Sequence, residues 1–103
     1  MAEFVRVATL DEVPNDAIKA VRIGTHRIAL VNAGGRLYAV SNICTHALCS
    51  FSYGLVQGTS LICTCHGAEF SALDGRPLDS LGQGPLTCYE VRVEGTEITV
   101  GIP

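Results

Sequence analysis

No cluster of basic side chains occurs anywhere in this sequence. Seven Lys and Arg are scattered among ten Asp and Glu over 103 residues, for a formal charge of −3. Nucleic acid is thereby excluded as a partner, because its phosphates call for a dense cationic face. Aromatic residues are scarce, three Phe and three Tyr with no Trp, so bases have few rings to stack on. Long apolar runs are missing too. The longest are pieces such as Ile28-Ala29-Leu30-Val31, far below the roughly 20 residues of a membrane-spanning helix, and no membrane association is expected. Met1-Ala2-Glu3-Phe4-Val5-Arg6 shows neither a basic segment followed by an apolar one nor a twin arginine, which points to the cytoplasm. Helical periodicity is absent beyond one turn near Leu10 to Val13, and there is no repeat, low-complexity tract or linker.

What is present reads as strands separated by turns. Phe4-Val5-Arg6-Val7-Ala8 alternates, and so does the stretch from Ala17 to Ile23, as half-buried strands do. Gly24-Thr25 leads into His26-Arg27-Ile28-Ala29-Leu30-Val31, and Asn32-Ala33-Gly34-Gly35 forms the turn into Arg36-Leu37-Tyr38-Ala39-Val40. Leu86 to Val93 and Glu97 to Val100 flank Glu94-Gly95-Thr96 as a closing hairpin. The expectation is one all-β domain over residues 1–103, an antiparallel sandwich or small barrel with a modest core. Its texture changes from about Ser41 to Ala72, where four of the five Cys and two of the three His gather among Gly and Ser.

Cysteines in an apparently cytoplasmic chain favour metal or redox chemistry over a disulfide scaffold, and an odd count leaves at least one unpaired. The arrangement is Cys44-Thr45-His46, then sixteen residues, then Cys63-Thr64-Cys65-His66. Each half offers a thiolate and an imidazole within a few residues. Two thiolates and two imidazoles suit either a tetrahedral zinc or a two-iron cluster. Zinc loops usually present two ligands of one kind close together, whereas here each loop mixes them. A cluster with both thiolates on one iron and both imidazoles on the other fits mixed pairs better, and zinc is the alternative.

Cys44-Thr45-His46 and Cys63-Thr64-Cys65-His66-Gly67 resemble the Cys-x-His and Cys-x-x-His-Gly boxes of Rieske iron–sulfur proteins. Glu69-Phe70, the turn at Asp74-Gly75, the covering loop at Gly84-Pro85, and Gly54 and Gly58 between the boxes extend the likeness over residues 42–85. The resemblance implies a Rieske-like β fold with a cluster-binding loop subdomain. It also implies that Cys44, His46, Cys63 and His66 hold a [2Fe–2S] cluster, with His46 and His66 at the exposed tip where electrons leave. Neutral imidazoles in place of two thiolates raise the potential above that of an all-cysteine cluster. By resemblance to the respiratory members, Cys49 and Cys65 would form a disulfide clasping the two loops, worth about 2–4 kcal/mol. Ala68 and Phe70 stand where high-potential members carry Ser and Tyr hydroxyls that bond the cluster sulfurs, so a lower potential is implied.

Among Rieske proteins the chain is most similar to the ferredoxin component of bacterial aromatic-ring-hydroxylating dioxygenase systems. That implies an electron carrier, not an enzyme, taking electrons from a flavin-dependent NAD(P)H ferredoxin reductase and passing them to a terminal Rieske oxygenase. Leu48, Phe51, Leu81 and Pro85 are candidates for the apolar rim of the docking face. Outside the boxes, Cys88 in Thr87-Cys88-Tyr89-Glu90-Val91 is expected to be a buried hydrophobe, and His26 a surface or hydrogen-bonded residue. The competing functions are a zinc-binding structural or regulatory module and the Rieske subunit of an arsenite-oxidase-like or nitrite-reductase-like enzyme.

Overall fold

The structure is a computed structural model that describes residues 3–42, 55–62, 69–78 and 86–102. Nine strands occur among them: β1 Glu3–Thr9, β2 Ile18–Ile23, β3 His26–Ala33, β4 Arg36–Ser41, β5 Leu55–Gln57, β6 Ser60–Ile62, β7 Glu69–Ser71, β8 Cys88–Glu94 and β9 Glu97–Ile102. A single 3-10 turn at Leu10–Glu12 lies where one helical turn was expected. Six strands form one antiparallel sheet in the order β1-β9-β8-β4-β3-β2, and β5-β6-β7 form a second. The all-β expectation therefore holds.

Local chemistry explains most of the large sheet. Gly34 and Gly35 both have positive φ, 65° and 94°, as the tight two-residue turn between β3 and β4 demands. Strand β3 nevertheless runs through Ala33, so the turn is two residues shorter than the sequence suggested. Asn32 lies inside the strand and is buried. Its amide is matched on both sides: Nδ2 donates to the Val13 carbonyl at 2.8 Å, and Oδ1 accepts from the Gly35 N–H at 2.8 Å. A polar side chain with both ends bonded can be buried at little cost, and turn propensity yields.

Strand β3 is the common wall of two cores. Ile28 and Leu30 point into a core with Ala8, Val13, Ala39, Ile98 and Val100. Their neighbours Ala29, Val31 and Ala33 point the other way, into a core with Val40, Leu61, Phe70, Ala72 and Leu86. Burial on both faces accounts for the uninterrupted apolar run from Ile28 to Val31. On the second face Phe70 is fully buried in a core that also holds Ala29, Ala33 and Ala72, small residues that leave room for a large ring.

Strands β4 and β8 are joined by only two residue pairs, Ala39 with Tyr89 and Val40 with Cys88. The small sheet belongs to the chain between those two strands. Its strands are a departure from the sequence reading, which placed none there. Three residues contain too little alternation to register as a period of two.

Candidate metal centre

The Cys- and His-bearing segments, residues 43–54 and 63–68, and the covering segment 79–85 lie outside the described residues. So do all four expected ligands (Cys44, His46, Cys63 and His66), the Cys49 and Cys65 pair, Ala68, and the rim candidates Leu48, Phe51, Leu81 and Pro85. The frame that anchors these segments is described, and its register places their ends.

Across one edge of the small sheet, Leu55 pairs with Ile62 and Ile62 with Glu69, while the Leu78 N–H donates to the Glu69 carbonyl at 2.8 Å. Four chain ends therefore meet side by side: the exit of the first segment, both feet of the second, and the entry of the third. Cys63 directly follows Ile62, and His66 is three residues ahead of Glu69. The remaining two ends adjoin each other. Ser41 N–H donates to the Thr87 carbonyl at 2.8 Å, beside Asn42 and Leu86, and Leu86 N–H donates to the Gly75 carbonyl at 2.8 Å. Two thiols and two imidazoles, one of each in both boxes, thus leave from feet knitted together by backbone hydrogen bonds. That donor set fits a metal centre that needs one ligand of each kind from each loop.

The frame adds two residues that the sequence reading missed. Leu55 and Leu78 sit on the same edge and remain 53% and 42% exposed. Val56 packs against the core beneath, so the strand period sends Leu55 outward. With Val56 known to face in, that signal was available.

Beneath the third segment, Ser71 and Gly75 close a tight turn. The Gly75 N–H donates to the Ser71 carbonyl at 2.8 Å, and the Asp74 carboxylate accepts from the Arg76 N–H at 3.1 Å. Cys88 meets this turn, and its expected burial is corrected: the residue is exposed. The reason was legible in its own strand. Glu90, Arg92 and Glu94 share its parity and face out, while Tyr89 and Val91 pack inward. Partial burial first, and the Asp74 charge second, raise the thiol pKa above the ordinary cysteine value, which keeps it a poor nucleophile near neutral pH.

His26 is the hydrogen-bonded residue expected of it. Its Nδ1 lies 3.3 Å from the Tyr89 hydroxyl, and the rings meet edge to face at 5.9 Å. Burial raises the Tyr89 pKa, so its hydroxyl keeps its proton over the physiological range. No helix among the described residues is long and apolar enough to cross a membrane.

Known proteins resemble this chain closely. The family model described as Rieske [2Fe-2S] domain matches residues 3–90. A 3-phenylpropionate/cinnamic acid dioxygenase ferredoxin subunit from Shigella boydii serotype 4 (strain Sb227) is 38% identical over 87 residues, covering 82% of each chain. Among solved structures, the ferredoxin of carbazole 1,9a-dioxygenase from Nocardioides aromaticivorans IC177 is 32% identical. It superposes with a TM-score of 0.88 and covers 94% of this chain and 95% of its own. A chain in a complex of reduced oxygenase and oxidized ferredoxin in carbazole 1,9a-dioxygenase is 31% identical, with a TM-score of 0.87 and coverage of 94% and 91%.

Proposed function

Because the chain belongs to the family of Rieske [2Fe–2S] domains, we propose that it is a one-electron carrier serving an aromatic-ring-hydroxylating dioxygenase system. In this role Cys44, His46, Cys63 and His66 hold the cluster, and the protein is an electron-transfer component with no catalysis of its own. The cluster, when bound, supplies storage for a single electron. The carrier takes that electron from a flavin-dependent NAD(P)H reductase and delivers it to a terminal Rieske oxygenase. A cytoplasmic location goes with this role, because NAD(P)H is a cytoplasmic reductant.

The observation that carries the proposal is the mixed donor set, one thiol and one imidazole per box, on segments anchored along one edge of the small sheet. Likeness to the ferredoxin subunits of named dioxygenases gives the role its direction. Leu55 and Leu78 form part of the apolar rim through which such a carrier docks. Redox encounters of this kind bury less than about 1,200 Å², so a pair of exposed leucines is a meaningful share of the contact.

Purified protein is expected to be brown, to hold iron and sulfide in equal amounts, and to give a Rieske EPR signal on reduction. Cys63→Ser or His66→Ala removes that signal. A colourless protein with one zinc per chain would sink the proposal and establish the zinc module instead.

The potential is a separate expectation. Phe70 is fully buried and has no hydroxyl to offer a cluster sulfur, and Ala68 has none either. The midpoint is therefore expected in the lower half of the Rieske span of about −150 to about +300 mV, and Ala68→Ser should raise it. A redox titration ending in the upper half would refute the argument from these two side chains.

A further inference from the structure

The end of the β2–β3 hairpin carries a charge arrangement that folding alone disfavours. Arg22 and Arg27 are direct cross-strand partners, one step in from the last pair, Ile23 with His26. Arg27 spends its carbonyl on β4, accepting from the Asn42 N–H at 2.9 Å. Towards β2 it therefore belongs to a non-hydrogen-bonded pair, whose Cα atoms approach to about 4.5 Å. Like charges placed opposite each other there repel.

Neither arginine has an acidic partner among the described residues. The ion pairs there join Arg6 to Glu97, Lys19 to Glu12, Arg76 to Asp74 and Arg92 to Glu90. Arg22 donates through Nε to the Gly24 carbonyl at 3.1 Å. Both arginines are exposed.

Their place in the sheet ties them to the metal centre. Arg22, Arg27 and Asn42 form one row, and the next row on the same face, two residues further in, is Ala20, Ala29 and Val40. Ala29 and Val40 pack against Leu61 and Phe70 of the small sheet. By the strand period, Arg22 and Arg27 belong to the face that carries the small sheet. Asn42, at the end of their row, is two residues ahead of Cys44. The segments 43–54, 63–68 and 79–85 contain a single charged residue, Asp79, and Glu69 is the acid at the neighbouring edge of the small sheet. Along this row of the described residues the positive charge comes from the arginine pair.

We propose that Arg22 and Arg27 are a docking pair for carboxylates on the flavin-dependent reductase that loads the carrier, an inference that rests on the carrier role above. Charge selects the donor over the acceptor. Loading moves one electron from the reduced flavin to the carrier, which gains one negative charge. A partner that sets carboxylates against the arginines binds the oxidised carrier more tightly than the reduced one. Such a preference suits the donor, which must capture the oxidised form and release the reduced form. The acceptor needs the opposite.

The test uses the cluster-loaded carrier with its own reductase and, in parallel, its own oxygenase. With R22E/R27E, the KM for carrier in the reductase assay is expected to rise about tenfold at low salt, with kcat little changed and the salt dependence flattened. The oxygenase arm should move less than twofold, and R22K/R27K should behave as wild type. The single variant Arg22→Glu adds a readout that a structural role could not give. It replaces repulsion with attraction across the strands, so its Tm should rise while its KM worsens. Unchanged KM in both arms would overturn the arginine assignment alone, and a change confined to the oxygenase arm would overturn the choice of donor. A wild-type carrier that holds a reducible cluster but takes electrons from no reductase would overturn the carrier role and this inference together.

Discussion

Replacing Gly75 by alanine is expected to lower the melting temperature by about 10 °C or more and to strip the protein of most of its iron. Two costs add at this position. Its φ of 76° lies in the left-handed region, where a side chain costs about 1–2 kcal/mol. A Cβ there would also stand 2.5 Å from the Leu86 carbonyl oxygen and 3.0 Å from the Cys88 Sγ. The nearer obstacle is backbone, so a strand must move, and forced repacking of this kind costs about 1–3 kcal/mol more. For a domain of this length each kcal/mol is worth about 4–8 °C. The chain that moves is the approach to β8 at Leu86, whose N–H is bonded to Gly75 itself, and it directly follows the segment containing Gly84-Pro85. Gly95→Ala is the matched control. Its φ is 63° but no atom lies within 4 Å of the added Cβ, so it should pay the conformational cost alone and keep its iron. Equal behaviour of the two variants in thermal melts and iron assays would refute the role given to the close approach.

Phe70→Ala is expected to cost about 3–5 kcal/mol, a large part of the roughly 5–15 kcal/mol that stabilises a typical domain. The ring is wholly buried in a core whose other members include Ala29, Ala33 and Ala72, side chains too small to expand into the space it leaves. Its backbone is a crossing point as well, since Phe70 pairs with Leu61 on one side and bridges to Pro77 on the other. Truncation therefore loosens the feet of the second and third segments together, and iron content should fall along with stability. Chemical denaturation measures the cost, with Leu73→Ala as reference. Leu73 is 56% exposed, and its removal should change stability by less than about 0.5 kcal/mol. Similar values for the two variants would show that the second core contributes little.

The large sheet was legible because its strands are long enough for alternation to appear and its turns carry glycine. Where the reading slipped, tertiary context outweighed a local preference. Asn32 has turn chemistry, yet Val13 and Gly35 satisfy its amide inside a strand. Cys88 has a buried residue's composition, yet the parity it shares with Glu90 and Arg92 turns it outward. Strands β5, β6 and β7 escaped notice because three residues do not make a pattern. At the candidate metal centre, residue types and spacing suggested the donors, which lie outside the described residues, and the frame contributed the edge that brings four chain ends together. Leu55 and Leu78 were passed over for a different reason: the alternation that turns Leu55 outward becomes readable only once Val56 is known to face the core, which the fold supplies.

The two-pair seam between β4 and β8 has a consequence for how the molecule is made. On one side of it β2, β3 and β4 close through short turns, and on the other β8 and β9 do the same. These hairpins gather locally and quickly, whereas the seam must bring together stretches separated by the whole chain from Asn42 to Thr87. Closing so long a loop for so little pairing is the slow step in a β protein. The energetic support for it comes from the first core, which gathers Ile28, Leu30 and Ala39 with Ile98 and Val100, from the six β1–β9 pairs, and from the second core. Cluster insertion is thus expected to act late in maturation, after β1–β9 pairing and the first core have joined the two sides of the sheet, and iron-starved cells should accumulate chains cut by proteases between Ser41 and Thr87.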